Sequence, residues 1–208
     1  MTNNNPAHAA PATPGPLDPI LERVFTRIRQ KIEAMPPEER KRREEDDRQA
    51  KEAERLRHID ERLRESGAPP RHLQTSPNFE NAWGEKFREI APEIGTGTIF
   101  ALTGRENKGK TQMGVELLRE VISSGNRGLF TTAAQMFADI KSAYTPADKQ
   151  TERDQFAKYR RPKLLVIDAL QRMAGSEWER KVLMEILEGR YGDKRDTILI
   201  SDSTVVFS

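Results

Sequence analysis

Residues 104–111 of this chain have the sequence Gly104-Arg105-Glu106-Asn107-Lys108-Gly109-Lys110-Thr111. The spacing is G-x-x-x-x-G-K-T, the P-loop pattern of proteins that bind nucleotide phosphates. An apolar segment, residues 98–103, precedes the loop, and residues 111–123 follow it with apolar side chains at helical spacing. The pattern therefore predicts a buried strand, a phosphate-binding loop and a helix. An ordinary surface turn containing glycine and lysine is the alternative.

The residue types in this loop suit the binding of a nucleotide together with Mg²⁺. Backbone N–H groups of a P-loop converge on the phosphates, and the positive end of the following helix dipole adds to the attraction. Lys110 is expected to reach the β- and γ-phosphates, and the Thr111 hydroxyl is expected to ligate Mg²⁺. The nucleotide-binding residues predicted here are Gly104, Asn107, Lys108, Gly109, Lys110, Thr111 and Gln112.

A second apolar segment, residues 163–168, ends in the carboxylate of Asp168. A continuous apolar run is typical of a strand that is buried on both faces of a parallel sheet. An Asp at the carboxyl end of such a strand lies in the ligand crevice, where it holds Mg²⁺ through water. This is the Walker B arrangement, and Thr111 and Asp168 form the predicted metal site.

Composition and charge exclude several classes of protein. The chain has 208 residues, a formal net charge of +2 and 33% charged residues, which suits one modest globular core with a polar appendage. The absence of cysteine excludes disulfides and thiolate metal sites, and three scattered histidines offer no zinc cluster. No stretch approaches the ~18 apolar residues of a membrane span, and the Ala/Pro-rich start lacks the order of a signal peptide. A cytoplasmic protein that does not interact with a membrane is expected.

The first part of the chain is predicted to contain a disordered tail and then a helix. Residues 1–16 are rich in Pro, Asn and Ala, which favours disorder. Asp18 and Pro19 suit the N-cap and the first position of a helix. Apolar residues then recur at helical spacing, and those expected to bind a partner are Leu17, Leu21, Val24, Ile28 and Ile32.

A strongly charged segment, residues 38–66, follows the prolines at 36 and 37. Its thin apolar stripe consists of Ala53, Leu56, Ile59 and Leu63. Two interpretations are open: a solvated spacer helix, or the second half of a partner-docking hairpin that covers residues 17–66. The sequence Gly-Ala-Pro-Pro at residues 67–70 marks the boundary with the second domain, residues 67–208.

Strand and helix patterns alternate in the second domain. The predicted strands are residues 98–103, 127–132, 163–168 and 197–202, and the predicted helices are residues 110–123, 133–143 and 176–190. This alternation predicts an α/β fold with a parallel, doubly wound sheet. Ahead of the sheet, Ser76 and Pro77 are expected to cap a short helix that carries Phe79, Trp83 and Phe87. These aromatic side chains either pack against the core or stack on nucleobases.

Taken together, these motifs resemble the AAA+ ATPases of the DnaC-type helicase loader family and the related IstB-type transposition ATPases. The resemblance covers roughly residues 67–208 and rests on residues 104–111, 128–134 and 164–168, with further matches at 176–179, 190–191 and 196–201. It implies a P-loop AAA+ (ASCE) sheet with flanking helices, preceded by an α-helical N-terminal region, in a phage or prophage protein.

The same resemblance implies a function. Members of the loader family bind ATP and Mg²⁺ and deliver a DnaB-like replicative helicase to single-stranded DNA during DNA replication. Their N-terminal helices hold the helicase, and their ATPase domains form a homo-oligomer or an assembly with the helicase.

Two departures from the family pattern lie within the nucleotide motifs. Asn107 occupies a position that is usually glycine, and because Asn tolerates a positive φ, the loop is still expected to close. Ala169 occupies the position of a second Walker B carboxylate, which orients the attacking water. General-base assistance contributes about 10²–10⁴ in rate, and Ala cannot supply it. We therefore expect ATP binding with slow hydrolysis, with Lys110, Asp168 and the altered position 169 as the catalytic positions.

Two further departures lie towards the end of the chain. Ser201 and Asp202, both counted among the predicted nucleotide-binding residues, occupy a place where relatives carry an Asn that senses the γ-phosphate. Asp202 is expected to be repelled by a phosphate, so Ser201 or Ser203 is expected to make that contact. The family's arginine finger and second sensor follow the last strand, and a chain ending at Ser208 is expected to lack them. An arginine finger contributes about 10³–10⁵ in rate.

Cations and aromatic residues alternate between the second and third predicted strands. In loader relatives a helical insertion near this point contacts single-stranded DNA, and the residues predicted to do so here are Lys141, Tyr144, Lys158, Arg160 and Arg161. Cations neutralise phosphates, and aromatic rings stack on bases. The alternative is that Phe156 and Tyr159 face the core and the arginines are solvated.

Three functions are open at this point. The first is a helicase loader, the second an IstB-like transposition ATPase that binds duplex DNA and a transposase, and the third a non-hydrolysing adaptor switched by ATP. Binding to a replicative helicase separates the first from the second. Turnover measured beside nucleotide affinity separates the first from the third.

Overall fold

A computed structural model of the chain describes residues 18–144 and 151–202, without the side chain of Ile32. The eight α-helices of this part of the chain are α1 (Pro19–Glu33), α2 (Pro37–Glu65), α3 (Pro70–Leu73), α4 (Ala82–Ile90), α5 (Lys110–Ser123), α6 (Ala133–Ser142), α7 (Glu152–Arg160) and α8 (Glu177–Gly192). The four strands are β1 (Ile99–Leu102), β2 (Gly128–Thr132), β3 (Leu164–Asp168) and β4 (Asp196–Ile200), and 3₁₀ turns cover Ala91–Glu93 and Leu170–Arg172. The predicted tail and Leu17 lie outside the described residues. None of the described helices has an apolar stretch long enough to span a bilayer.

The four strands form one parallel sheet in the order β1-β4-β3-β2. Successive side chains of β3 point to opposite faces, as strand geometry requires. Leu164 and Val166 pack into a core with α5, and Leu165 and Ile167 pack into a second core with α6 and α8. Helices therefore cover both faces, and the predicted doubly wound parallel sheet is confirmed.

The first strand differs from its prediction. A buried strand was expected over residues 98–103, but β1 lies at one edge of the four-stranded sheet, and its side chains are exposed or only half-buried. Ile99 retains 36% of its exposure. An apolar run indicates a strand, but its place in the sheet depends on pairing with β4, which is almost 100 residues further along the chain.

The chain divides into two compact units, Met1–Ala53 and Glu54–Ser208. In the first unit, the Asp18 carboxylate accepts a 2.8 Å hydrogen bond from the Ile20 N–H, so the predicted N-cap of α1 is confirmed. The apolar face of α1 is solvent-exposed, and its side chains, 47–69% exposed, are Ile20, Leu21, Val24, Phe25 and Ile28.

The last part of α2, from Glu54 to Glu65, belongs to the second unit. Ile59 and Leu63 are buried in the core that contains Val115 and Leu118 of α5. This part of the predicted docking hairpin is therefore wrong, because side chains that complete an intramolecular core are not available to a partner. Leu56 is 54% exposed.

The helix with the aromatic residues begins later than predicted. Its N-cap is Asn81, whose side chain accepts hydrogen bonds from the N–H groups of Trp83 and Gly84, so the predicted cap at Ser76 and Pro77 is wrong. Asn is among the most favoured capping residues, and this one is adjacent to the aromatic run. Trp83 and Phe87 pack on each other and against the core, in agreement with the packing interpretation.

A buried arginine organises the amino ends of the central strands. Arg190 of α8 is fully buried, and burial lowers the pKa of its guanidinium to about 10, so it remains a cation at neutral pH. It donates hydrogen bonds to the Thr197 hydroxyl and to backbone carbonyls on three segments, namely those of Tyr159, Arg160, Pro162, Lys163 and Asp196. The end of α7 and the starts of β3 and β4 are thereby joined at the edge of the sheet opposite the P-loop.

Candidate functional site

The P-loop runs from the end of β1 to the start of α5 and contains three left-handed residues. Gly104, Asn107 and Gly109 have φ values of 129°, 58° and 78°. Asn is one of the few residues other than glycine that adopts a positive φ readily. The expectation that Asn107 allows the loop to close is therefore confirmed by its backbone conformation.

Lys110 begins α5, and three oxygens surround its ammonium group. The Nζ atom lies 2.9 Å from the Gly104 carbonyl, 2.7 Å from the Arg105 carbonyl and 2.8 Å from Asp202 Oδ1. Its side chain is only 10% exposed. An ammonium group has three N–H donors, so these contacts satisfy all of them.

Thr111 and Asp168 connect the two nucleotide motifs. Thr111 Oγ1 donates a 2.9 Å hydrogen bond to Asp168 Oδ2, and Asp168 Oδ1 accepts a 2.7 Å hydrogen bond from the Ala169 N–H. A hydroxyl and one carboxylate are oxygen ligands of the kind that Mg²⁺ takes when it is shared with substrate phosphates. No cluster of three or more carboxylates or imidazoles suited to a metal occurs in residues 18–144 and 151–202. The residues present fit a magnesium ion bound jointly with a nucleotide.

Ala169 lies beside this pair at the start of the 3₁₀ turn. It lines the cleft and has a left-handed backbone with a φ of 58°. Its methyl group has no atom that accepts a proton or a hydrogen bond from water. The position following Asp168 therefore lacks the group that would orient an attacking water.

Asp202 and Ser201 follow β4, and they differ in accessibility. The Asp202 carboxylate lines the cleft, with Oδ1 on Lys110 and Oδ2 accepting a 2.7 Å hydrogen bond from Gln171 Nε2. Ser201 is buried and does not line the cleft, so the predicted contact between Ser201 and a nucleotide is not supported by the geometry. Ser203 lies outside the described residues.

A cleft of about 420 Å³ runs along the carboxyl edge of the sheet beside these groups. Most of the predicted nucleotide-binding residues line it, namely Asn107, Lys108, Gly109, Lys110, Thr111, Gln112, Asp168 and Asp202. Gly104 is not in the lining, although its carbonyl holds Lys110.

Six residues of the cleft are outside the predicted set, namely Arg71, His72, Glu106, Thr132, Gln171 and Arg172. The segment containing His72 is held to α5 by Gln112, whose Oε1 lies 2.8 Å from His72 Nδ1 and whose Nε2 donates to the His72 carbonyl at 3.0 Å. No local sequence pattern predicts the contact between His72 and Gln112, because they are 40 positions apart. Of these residues, Gln171 could have been predicted to lie near the site, because it is only three positions after Asp168.

Trp83 lies against the phosphate-binding loop. Its indole Nε1 donates a 3.0 Å hydrogen bond to the Gly109 carbonyl. A Cβ at Gly109 would come within 2.8 Å of that nitrogen, so this glycine serves both the positive φ and the close approach of the indole. The aromatic residues of α4 therefore buttress the loop.

Two of the five predicted DNA-binding residues line a common groove. Arg160 and Arg161 line a groove of about 530 Å³ between α7 and α8, whereas Lys141, Tyr144 and Lys158 do not. Phe156 and Tyr159 are buried in the second core, so the interpretation that they face the core is confirmed and base stacking by them is excluded.

Acidic neighbours reduce the positive charge of this region. Lys158 Nζ lies 2.5 Å from Asp139 Oδ2. Burial alone would raise the pKa of Asp139, but hydrogen bonds from Lys158, Tyr159 and Gln135 outweigh it and lower that pKa. Arg160 lies 3.9 Å from Asp193. Lys141 and Arg161 are exposed, and neither has a carboxylate partner among the ion pairs of the described residues.

Residues 48–206 match the model of the family described as IstB-like ATP binding proteins. Among curated proteins, this chain is 25% identical over 103 residues to the replicative helicase loader DnaC of Buchnera aphidicola subsp. Baizongia pistaciae (strain Bp). That match covers 50% of this chain and 42% of the loader. The chain thus spans less than half the length of the curated relative.

Solved structures show the same fold at low sequence identity. A crystal structure of the DnaC helicase loader has a TM-score of 0.54 and 19% identity, and the match covers 67% of this chain and 83% of that one. AMPPCP-bound DnaA from Aquifex aeolicus has a TM-score of 0.53 and 20% identity, and the match covers 65% of this chain and 43% of that one. The sheet and its flanking helices therefore have the same fold as these two structures.

We predict that nucleotide binding changes the fluorescence of Trp83, because its indole is hydrogen-bonded to the loop that holds the phosphates. The chain has two tryptophans, so Trp178→Phe leaves Trp83 as the only reporter. Addition of ATP and Mg²⁺ should change the emission of this variant. Trp83→Phe, which retains Trp178 in its contact with Phe137, is the matched control and should show no change. A response carried by Trp178 alone would contradict the predicted placement of the nucleotide.

Proposed function

This chain belongs to the family of IstB-like ATP-binding proteins, and we propose that it is an ATP-binding helicase loader with weakened hydrolysis. In this proposal it delivers a DnaB-like replicative helicase to single-stranded DNA during phage DNA replication. The observation that carries the proposal is the convergence of Lys110, Thr111 and Asp168 beside one cleft at the carboxyl edge of a parallel sheet. Its similarity to DnaC loaders supports the choice of helicase as partner.

In this proposal each of the three residues has a separate task. Backbone N–H groups of the P-loop hold the phosphates, and Lys110 exchanges its present oxygen partners for phosphate oxygens. The Thr111 hydroxyl and the Asp168 carboxylate would hold Mg²⁺, which neutralises phosphate charge when it is bound. The contact between Thr111 and Asp168 already orients both groups in the absence of the ion.

Hydrolysis in this proposal is slow, because position 169 supplies no carboxylate. The site retains its groups for binding phosphate but lacks a base beside the Walker B Asp. Nucleotide occupancy, rather than rapid turnover, would then control the state of the protein.

The exposed face of α1 supports the proposed contact with a helicase. An amphipathic helix that leaves about half of each apolar side chain in water gains stability when a partner covers that face. Leu21, Val24 and Ile28 lie on this face and are exposed. The other two residues of the predicted set, Leu17 and Ile32, stay a proposal without structural description.

Two alternatives have specific observations in their favour. The family model is that of IstB-like proteins, which favours a transposition ATPase that binds duplex DNA and a transposase. Ala169 favours a non-hydrolysing adaptor whose ATP site is a switch. In each alternative the nucleotide site is the same, and the partner or the turnover differs. A homo-oligomer, or an assembly with the helicase, is part of the loader proposal.

The loader proposal is tested by capture of a purified DnaB-type helicase on the immobilised full chain, with and without ATP. We expect capture by the wild type, and at least tenfold less by Val24→Asp, because the substitution places a charge on the apolar face of α1. Gln30→Asp, on the polar face of the same helix, should retain capture. Circular dichroism verifies that both variants keep their helix content. Capture of a transposase in place of the helicase would favour the IstB-like alternative, and no capture of the helicase would overturn the loader.

Ala169→Glu is expected to raise ATP turnover at least about tenfold, because general-base assistance contributes about 10²–10⁴ in rate. Both residues carry a Cβ, so the positive φ at this position disfavours them similarly. Phosphate release is measured together with ATP affinity, and Ala174→Glu in the following exposed loop is the control. An unchanged rate at unchanged affinity would show that position 169 does not limit hydrolysis.

The proposed contact with single-stranded DNA is tested at the two exposed cations. Lys141→Glu and Arg161→Glu should each weaken binding to a labelled oligonucleotide. Each should also reduce the salt slope by about 0.7 per lost phosphate contact. Lys51→Glu makes the same charge change at an exposed position of α2 and should have no effect. Binding unaltered by both Lys141→Glu and Arg161→Glu would remove these two residues from the proposal.

A further inference from the structure

The Asp202 carboxylate is held in the nucleotide cleft on both of its oxygens. Oδ1 lies 2.8 Å from Lys110 Nζ, and Oδ2 accepts a 2.7 Å hydrogen bond from Gln171 Nε2. The Asp202 N–H also donates to Gln171 Oε1 at 3.3 Å. Three separate segments, the P-loop, the turn after β3 and the end of β4, are therefore linked through one anion.

This carboxylate contacts the ammonium group that binds phosphate oxygens in a P-loop. In a P-loop the backbone N–H groups cradle the α- and β-phosphates, and the lysine reaches the β- and γ-phosphates. The terminal phosphate thus extends beyond the loop, towards the ends of β3 and β4, where Asp168 and Asp202 lie. An ADP molecule ends at the phosphate that the loop itself holds.

The negative charge of Asp202 is expected to weaken the binding of ATP more than the binding of ADP. Two negative groups a few ångströms apart in a partly enclosed site repel each other strongly, and Asp202 is only 30% exposed. A γ-phosphate must either displace Asp202 from Lys110 or lie beside it. A diphosphate presents only its β-phosphate to Lys110, so it replaces one of the two loop carbonyls as a partner while the Asp202 carboxylate stays on the lysine.

We propose that Asp202 is a specificity-determining residue that competes with the γ-phosphate for Lys110 and makes the cleft select a nucleoside diphosphate over a triphosphate. The inference rests on the proposed nucleotide binding and goes beyond it, because it assigns the resting ligand. Gln171 is a positioning residue, since it holds the carboxylate in the direction of the lysine.

Isothermal titration calorimetry of the full chain tests the proposal. The two ligands are ADP and the non-hydrolysable β,γ-methylene analogue of ATP, each with Mg²⁺. Wild type should bind ADP about tenfold more tightly than the analogue, since one close pair of like charges is involved. Asp202→Asn should raise affinity for the analogue about tenfold and change affinity for ADP less than about threefold, because the amide keeps the shape and removes the charge. Gln171→Ala should produce a smaller change in the same direction.

Asp46→Asn, an exposed position on α2, is the matched control and should leave both affinities unchanged. Melting temperatures establish that each variant is folded, and Asp202→Ala provides a second removal of the charge. Equal gains for both nucleotides, or no gain for the analogue, would overturn the selectivity while leaving nucleotide binding intact. Failure of wild type and every variant to bind either nucleotide would overturn the proposed function and this inference together.

Discussion

The contact of 2.9 Å between Thr111 Oγ1 and Asp168 Oδ2 joins two motifs that are 57 residues apart in the chain. It exists because every strand of the sheet is parallel, so the segments after β1 and β3 emerge at the same edge. The helix α5 begins at that edge and packs its apolar side against β3 and β4. The cleft, the loop conformation and the assignment of a magnesium site all depend on this shared edge.

Much of the fold follows from local pattern, whereas the neighbours of the site do not. The continuous apolar run of β3 is typical of a strand buried on both faces, and the structure has it so. The positive φ at Asn107 agrees with the tolerance of Asn for that conformation. The burial of Ile59 and Leu63 was missed because a thin apolar stripe looks the same whether it meets a partner or the protein's own core. The pairing of Asp202 with Lys110 was missed for a related reason. The sequence indicates that Asp202 would repel a phosphate. It contains no local pattern that places this carboxylate beside Lys110, because the two residues are far apart in the chain.

The cleft combines features that strengthen binding with features that oppose reaction. The P-loop backbone, Lys110 and the Thr111–Asp168 pair are arranged to receive phosphate and metal. Position 169 has no carboxylate to orient an attacking water. Asp202 places a negative charge on Lys110, the residue expected to bind the terminal phosphate. In the function proposed above, the identity of the bound nucleotide, rather than the rate of its hydrolysis, sets the state of the protein.

Arg190 has a consequence for the stability of the molecule. Its guanidinium joins the end of α7 to the residue before β3 and to the first residue of β4, through the backbone carbonyls of Tyr159, Lys163 and Asp196. A buried carbonyl left without a donor costs about 1–3 kcal/mol. Loss of this one side chain would therefore weaken the amino ends of two strands and the end of α7 together.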